Sequence, residues 1–284
     1  MWTVQIRYEG TLSLNDPEVR RPPFDTSTSH SARRYNYLLG GKDHFAADRA
    51  AGDELARFVP GVRDAVRSNR AVLKRMVRYL AAEEGVRQFL DIGTGLPTAD
   101  NTHEVAQAVA PASRIVYVDN DPLVLSHARA LLTSDPQGAT AYIEADMRDP
   151  AAIIDSPTVR DMLDFSQPIA VMCIAVLHFI QDHDEATSIV RGLTDATPTG
   201  SFLAMTHATW DHYNPENLAQ VRAMTEAGRA DAWPRTREQI HDLFAGFDLV
   251  APGIVPVTQW RPDADTEQYD LQNTPGWAAV GRRN

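Results

Sequence analysis

Three short apolar segments, each with an aspartate as its last or next-to-last residue, constrain the fold of this chain more than any other feature. They span residues 87–92, 114–119 and 141–146. Predicted helices separate them, so strand and helix alternate along the chain. Such alternation is typical of a doubly wound α/β sheet, in which the carboxyl ends of parallel strands share one edge. Ligands bind at that edge, where the strand order changes direction.

The sheet is predicted to continue towards the C-terminus. The apolar run 169–180 contains a fourth strand, because a strand buried on both faces of a parallel sheet is apolar throughout. A fifth strand is predicted at residues 201–206, and a terminal pair at residues 247–260 and 277–282. The chain is therefore expected to form a seven-stranded α/β sheet.

The chain is expected to divide into an N-terminal extension or linker (residues 1–30), a helical cap packed on the core (31–84) and a main α/β domain (85–284). Alternating apolar residues near the N-terminus fit either a short strand or a weakly ordered leader. The helices predicted for the cap span residues 32–39, 43–58, with Asp43 as N-cap, and 62–82.

The third cap helix has one apolar and one basic face. Asn69 lies on the apolar face, where it either contacts a ligand or satisfies a buried backbone group; both interpretations remain open. The opposite face is interpreted as solvated, and its basic residues are Arg63, Arg67, Lys74, Arg75 and Arg78.

Composition excludes several classes of function. The 284 residues carry a net charge of −11, which disfavours nucleic acid as a partner. Cys173 is the single cysteine, so neither an internal disulfide nor a cysteine zinc site is expected, and the nine histidines contain no HExxH motif. The sequence has no apolar run long enough to span a membrane and no signal-peptide pattern. We therefore expect no metal, no membrane partner and a cytoplasmic location; the oligomeric state is left open.

The turn after the first strand, residues 91–95, carries the strongest site signal. Gly93 and Gly95 follow a strand and precede a helix, and glycine allows backbone to approach a ligand closely. At the end of the second strand, the Asp119 carboxylate is suited to the two hydroxyls of a ribose. After the third, Asp146 is suited to an adenine amino group, with Met147 packing beside the ring.

These segments resemble the motifs of class I S-adenosylmethionine-dependent methyltransferases. Residues 89–95, Phe-Leu-Asp-Ile-Gly-Thr-Gly, resemble motif I, residues 118–122 the acidic motif II, and Ala145-Asp146 the adenine motif. Pro97 replaces the usual third glycine of motif I. The resemblance implies a Rossmann-like sheet with an antiparallel terminal strand.

A narrower resemblance covers about residues 24–282. The run 31–45, together with Gly-Thr-Gly-Leu-Pro-Thr at 93–98, is similar to an actinobacterial group of uncharacterised S-adenosylmethionine methyltransferases, formerly a domain of unknown function (DUF574-like). The implied cofactor is S-adenosylmethionine, with S-adenosylhomocysteine as product. The acceptor is unidentified; a small molecule is expected, although the sequence does not distinguish a small metabolite from a protein.

The resemblance also implies roles for individual residues. Asp91 would hold the methionine amino group, Asp119 the ribose hydroxyls and Asp146 the adenine amine. Backbone at Ile174 and Ala175 would meet the methionine end. The full set of expected cofactor-binding residues is Asn69, Asp91, Gly93, Thr94, Gly95, Leu96, Asp119, Asn120, Asp146, Met147, Ile174 and Ala175.

The acceptor side is less defined, because the sulfonium is already a strong methyl donor and a general base is optional. His178 follows the fourth strand and is the candidate catalytic residue, with a structural histidine as the alternative. Candidate substrate-binding residues are Tyr37, His44, His207, His212 and Tyr213.

Two other functions compete with methyl transfer. An NAD(P)-dependent oxidoreductase would carry Gly-x-Gly-x-x-Gly, but Thr98 occupies the third glycine position, and its ribose acid would lie closer to the turn than Asp119 does. A regulator that binds S-adenosylmethionine without catalysis is the other alternative, because methyl transfer requires no diagnostic side chain.

Overall fold

The predicted α/β architecture is confirmed by a computed structural model, which describes residues 25–59, 61–124, 126, 134–228 and 231–284. The strand pattern near the N-terminus lies outside the described residues, and so does most of the predicted helix between the second and third strands, which was expected at residues 123–132. The strands are β1 (Gln88–Ile92), β2 (Arg114–Asp119), β3 (Ala139–Glu144), β4 (Ala170–Ile174), β5 (Phe202–Ala208), β6 (Phe247–Leu249), β7 (Val255–Pro256) and β8 (Gly276–Arg283). The described helices are α1 (Ser31–Leu38), α2 (Ala46–Phe58), α3 (Val62–Ala82), α4 (Thr102–Val109), α5 (Pro150–Ile154), α6 (Pro157–Met162), α7 (His183–Thr194), α8 (Pro215–Glu226) and α9 (Arg237–Asp242).

Seven strands follow the order β3-β2-β1-β4-β5-β8-β6, and the two-residue β7 pairs with β8 as an eighth. Strands β1 to β5 pair in parallel, and β8 is antiparallel to both β5 and β6. The order reverses between β1 and β4, which puts the expected ligand crevice at their carboxyl ends.

Alternate residues of the buried strands pack into two apolar layers, one on each face of the sheet. In β1, Leu90 packs with the layer that contains Ile153 and Leu193 from α5 and α7. Its neighbour Phe89 packs with the layer that contains Met76 and Leu80 from α3. Both faces of the sheet are therefore covered, which explains why β1 and β4 are buried along their whole length.

The long helix α3 joins the cap to the sheet. Its C-terminal half belongs to the core layer on β1, while Val62 and Val66 near its N-terminus pack with Leu38 of α1. The interpretation of its basic face as solvated is wrong for Arg75, which is 6% exposed. Its guanidinium donates to the carbonyls of Val257 and Trp260, both at 2.9 Å.

Helix α2 begins later than predicted. Asp43 is not its N-cap; the cap is Phe45, whose backbone N–H donates to Asp48 Oδ2 at 2.8 Å. Among the described residues, no helix combines the length and the apolar character that crossing a membrane requires.

Candidate active site

A cavity of about 630 Å³ opens at the carboxyl ends of the parallel strands. Loops after β1 to β5 form its floor, and α1, α3 and α8 contribute its walls. It lies at the reversal between β1 and β4, as the doubly wound topology requires. The residues singled out in the sequence that line it are Asn69, Asp91, Gly93, Thr94, Gly95, Asp119, Asn120, Asp146, Met147, Ile174, Ala175, His178, His207 and Tyr213.

Asp119 connects the first two strand ends. Its Oδ2 accepts the backbone N–H of Gly95 at 2.8 Å, and its Oδ1 accepts that of Asp121 at 2.9 Å. The carboxyl group is 7% exposed, and burial raises its pKa, although the two N–H donors act in the opposite direction. One side chain thus fixes the glycine turn against the neighbouring loop and leaves further lone pairs for a ligand.

Glycine is required at the two positions of the turn for different physical reasons. Both adopt positive φ, +68° at Gly93 and +66° at Gly95, which strains any residue with a Cβ. A Cβ on Gly93 would also collide with Val176, which follows β4. A Cβ on Gly95 would meet no atom of the described residues within 4 Å, so this part of the turn borders open space. The absence of a side chain at Gly93 therefore allows close packing against Val176, whereas its absence at Gly95 leaves space beside the turn.

Asp91 is a buried carboxyl group, 4% exposed, at the end of β1. Its Oδ2 accepts the hydroxyl of Thr102 at 2.6 Å. Burial is the main cause that raises its pKa to about 6. Arg70 attracts the carboxylate only from a distance, because its guanidinium donates to the carbonyls of Ala99 and Asp100. The site is therefore suited to a cationic ligand group.

The third strand end is more exposed. Asp146 follows β3 and accepts from the Arg148 side chain at 3.2 Å and from the Arg148 backbone N–H at 2.9 Å. The amide of Asn120 approaches the same carboxylate at 3.5 Å, while Met147 is buried beside them. A ligand at Asp146 shares this carboxylate with Arg148.

Asn69 links the cap to the sheet. Its Nδ2 donates to the Tyr35 hydroxyl at 2.9 Å, and its Oδ1 accepts the Thr206 hydroxyl at 2.6 Å. Thr206 Oγ1 in turn accepts the backbone N–H of Ala175 at 2.9 Å, and Ala175 has φ +53°. The network holds the backbone after β4 in a conformation that alanine rarely adopts.

His178 lies in the short 3-10 helix Leu177–Phe179 after β4. Its backbone carbonyl accepts the N–H of Trp233 at 2.7 Å, and its ring packs edge-on against His207 with centroids 5.7 Å apart. Burial lowers the pKa of His178 to about 4, so the ring is neutral. Its Nδ1 is buried and has no hydrogen-bond partner among the described residues.

His207 lies in β5 and is held by its neighbours. Nη1 of Arg235 lies 2.9 Å from its Nε2, and its Nδ1 lies 2.8 Å from the carbonyl of Ala208. An arginine only donates, so Nε2 accepts and Nδ1 carries the proton. Burial keeps the pKa of His207 well below its ordinary value.

Four of the residues expected at the site do not line the cavity: Tyr37, His44, Leu96 and His212. Leu96 is buried in a separate cluster with Leu123 and Val124. His212 packs edge-on against Trp277, with centroids 4.4 Å apart.

Tyr37 and His44 pack against each other on the α2 side of the cap. The Tyr37 hydroxyl donates to Asp53 at 2.6 Å, and Nε2 of His44 lies 3.0 Å from the Gly41 carbonyl. Tyr35, two residues from Tyr37 along α1, does line the cavity, because residues two apart on a helix face different directions.

The cavity also includes residues that sequence reasoning missed. Nη2 of Arg34 lies 2.7 Å from both carboxylate oxygens of Asp231, so α1 contacts the segment after α8. Trp210 and Trp233 line the same region. The available signal was the pair of tryptophans that lie in the sequence on either side of α8.

The cap is also attached to the loop that follows β2. Oδ2 of Asp121 lies 3.2 Å from both Nδ1 of His30 and Nε of Arg33, while its Oδ1 accepts the backbone N–H of Leu123 at 3.0 Å. The start of α1 is therefore fixed beside Asp119.

Comparison with known proteins gives one consistent result. The model of a family described as S-adenosyl methyltransferase matches residues 17–284. A DUF574 family protein from Streptomyces avermitilis MA-4680 is 46% identical, with a TM-score of 0.86 over 92% of this chain and 99% of that chain. A candidate methyltransferase from Thermobifida fusca YX is 45% identical, with a TM-score of 0.82 over 92% of this chain and 97% of that chain. No curated protein matches.

Proposed function

The chain belongs to the S-adenosyl methyltransferase family, and we propose that it transfers the methyl group of S-adenosylmethionine to a small-molecule acceptor bound in the 630 Å³ cavity. Membership makes the protein an enzyme whose cofactor is S-adenosylmethionine and whose cofactor product is S-adenosylhomocysteine. The binding roles and the class of acceptor are the parts proposed here.

The contact between Asp119 and Gly95 carries the proposal. A carboxylate that accepts the N–H of the glycine turn and still has lone pairs for two hydroxyls suits the ribose of an adenosine. Gly95 borders open space, so its backbone can lie against the ligand. Thr94 and Asn120 complete the same wall.

The buried carboxyl of Asp91 fits the amino group of the methionine part. Without a ligand, burial disfavours its charge, and an ammonium group nearby would favour the ionised form again. Backbone at Ile174 and Ala175 and the amide of Asn69 lie at the same end of the cavity. Asp146 and Met147 suit the adenine, where the amine would share the carboxylate with Arg148.

The protein contributes alignment more than acid–base chemistry. When bound, S-adenosylmethionine supplies an electrophilic methyl group on a positively charged sulfur. Asp91 and Asp119 would orient the two ends of the cofactor around that methyl group. Alignment of an acceptor with it would lower the barrier, and the cap helices α1 and α3, which line the cavity, would help to exclude water from the reacting atoms.

The acceptor is proposed to be a small molecule because of the size and walls of the cavity. Small-molecule sites have volumes of about 300–1,000 Å³, and the cofactor takes part of the 630 Å³ present. The net charge of −11 disfavours a nucleic acid.

Calorimetry and product detection test the proposed function. S-adenosylmethionine and S-adenosylhomocysteine are titrated into the protein, with NAD(H) as the competing dinucleotide. The protein is then incubated with S-adenosylmethionine and fractionated metabolites, and S-adenosylhomocysteine is measured by mass spectrometry. We expect saturable binding of both sulfur nucleosides, weak or no binding of NAD(H), and turnover with at least one fraction.

A matched pair of variants makes the test specific. Asp119→Ala removes the proposed ribose ligand, whereas Asp161→Ala removes an exposed aspartate of α6. Loss of binding in the first variant alone supports the assignment. Saturable binding of NAD(H) without binding of either sulfur nucleoside contradicts it.

A further inference from the structure

The cavity has an apolar half that lies away from the strand-end acids. Its walls come from the cap and from the segment around α8, elements that lie outside the β1–β5 sheet. The side chains that define it are Leu38, Val59, Val66, Trp210, Val221 and Trp233. Apolar and aromatic walls bind the apolar body of a ligand, and aromatic rings pack well against tryptophan.

The charged side chains of this half are already paired. Nη2 of Arg34 lies 2.7 Å from both oxygens of Asp231, and both side chains line the cavity. Arg70, one helical turn from Val66, also lines the cavity, but its guanidinium donates to the carbonyls of Ala99 and Asp100. A carboxylate, phosphate or ammonium on the acceptor would lose water without gaining a free counter-charge. The apolar half is therefore suited to a neutral molecule.

Two buried polar atoms at this half have no hydrogen-bond partner among the described residues. They are Nδ1 of His178 and Nε1 of Trp210. A buried polar atom without a partner destabilises the protein, and a ligand that supplies the partner gains affinity. The Trp210 indole only donates, whereas a neutral imidazole accepts from a hydroxyl. A ligand that carries an oxygen acceptor for the Trp210 indole and an O–H donor for the His178 imidazole would satisfy both atoms.

We propose, on the premise of the methyl transfer proposed above, that the acceptor is a neutral phenol whose ring lies among the apolar side chains and whose hydroxyl bonds to His178. A phenol is chosen over an aliphatic alcohol because Trp210 and Trp233 both line the cavity and aromatic rings pack well against tryptophan, and because the proton of a phenol is more acidic. In the reaction, the phenol oxygen gains the methyl group as the bond between that methyl and sulfur breaks. The hydroxyl proton passes to the His178 imidazole, and the sulfur becomes a neutral thioether, so atoms and charge balance.

Calorimetry with a matched set of probes tests the acceptor class. The protein is saturated with S-adenosylhomocysteine and titrated with 2-naphthol, 2-methoxynaphthalene, 2-naphthoate and 2-(aminomethyl)naphthalene at neutral pH. We expect 2-naphthol to bind at least about tenfold more tightly than either charged probe. Equal or tighter binding of a charged probe, or no binding of 2-naphthol, overturns the proposal. Saturation with S-adenosylhomocysteine distinguishes the acceptor proposal from the proposed function. If S-adenosylhomocysteine itself does not bind, the proposed function is contradicted instead.

Substitution of His178 tests the hydroxyl contact. His178→Phe keeps a ring and removes both nitrogens, so we expect 2-naphthol to bind about tenfold more weakly. Binding of 2-methoxynaphthalene, which has no hydroxyl to donate, should stay within about twofold and reports that the cavity is intact. If both probes weaken, His178→Leu is measured in the same way, because leucine also lacks a hydrogen-bond acceptor. Unchanged 2-naphthol affinity in a folded variant overturns the assignment of His178.

Substitution of Asp231 tests the charge argument. Asp231→Asn leaves the Arg34 guanidinium unpaired beside the cavity, and 2-naphthoate should then bind about fivefold more tightly. The control, Asp155→Asn, removes the carboxylate of a surface ion pair with Arg160 and should change neither probe. If Asp231→Asn does not strengthen 2-naphthoate binding, the pairing of Arg34 with Asp231 is not the cause of the preference for a neutral ligand.

Discussion

Nη1 of Arg235 lies 2.9 Å from Nε2 of His207, and this contact fixes the protonation of the histidine. Because Nδ1 of His207 donates to the Ala208 carbonyl, both ring nitrogens are used inside the protein. His207 therefore has no ring nitrogen left for a proton from an acceptor. Of the two histidines at the strand ends, His178 is the one whose ring has a nitrogen without a partner in the described part of the chain.

Replacement of Arg235 should destabilise the fold and disturb the loop that carries His178. The guanidinium, 3% exposed, also donates to the carbonyls of Leu177, Ile180 and Asp182. Arg235→Ala leaves these buried acceptors unsatisfied, and we expect a loss of roughly 3 kcal/mol in the free energy of unfolding. Urea denaturation measures it.

A surface arginine provides the control for Arg235. Arg160→Ala removes an exposed ion pair with Asp155 and should change the free energy of unfolding by no more than about 0.5 kcal/mol. Equal effects of the two substitutions would mean that the buried contacts of Arg235 add nothing to stability.

Gly93 and Val176 should be energetically coupled. Gly93→Ala combines the strain of a positive φ, roughly 1–2 kcal/mol, with a collision against Val176. Gly95→Ala carries the strain alone, so it should destabilise the protein less. Adding Val176→Ala should recover part of the loss caused by Gly93→Ala, and a double-mutant cycle on the free energy of unfolding measures the coupling. Strict additivity would contradict the packing role of Gly93.

Much of the fold was predictable because the strand patterns are strong. The predicted second strand matches β2 at both ends, but β3 begins at Ala139 and ends before Asp146. Its start is set by pairing with Arg114 of β2, a partner that local sequence does not reveal. The strand predicted at residues 247–260 is divided into β6 and β7, because a turn at Gly253, with φ +83°, interrupts it.

The floor of the site was predictable, and its walls were not. Asp91 and Asp119 lie at strand ends that the topology brings together, so the pattern alone places them at one edge. Contacts such as Arg34 with Asp231 join residues 197 positions apart, and no periodicity indicates them. The orientation of α1 likewise decided that Tyr37 contacts Asp53 rather than the cavity.

Asp119 should matter more for cofactor affinity than Asp146. Asp119→Ala removes a buried carboxylate, and we expect a loss of about 1.5–3 kcal/mol in the free energy of S-adenosylhomocysteine binding. The Asp146 side chain is 42% exposed and paired with Arg148, so Asp146→Ala should cost about 1 kcal/mol or less. Calorimetry on variants with unchanged melting temperature gives both values. The reverse order would reject the proposed ribose and adenine assignments.

The affinity for the cofactor should depend on the ionisation of Asp91. Burial raises the pKa of Asp91 from 3.8 to about 6 in the folded protein, and an ammonium group binds the ionised form. Protonation should therefore weaken S-adenosylhomocysteine binding about tenfold as the pH falls from about 7 to about 5. Asp91→Asn should weaken binding at neutral pH and flatten this dependence, which calorimetry across the pH range measures.

The same shift in pKa has the opposite consequence for folding. Because the unfolded chain releases the Asp91 proton at lower pH than the folded protein does, stability falls as the pH rises from 3.8 to about 6. Asp91→Asn removes that penalty, so its free energy of unfolding should exceed that of the wild type above this range although its affinity for the cofactor is lower. A variant that loses both stability and affinity at neutral pH would show that the carboxyl supports the fold rather than the ligand.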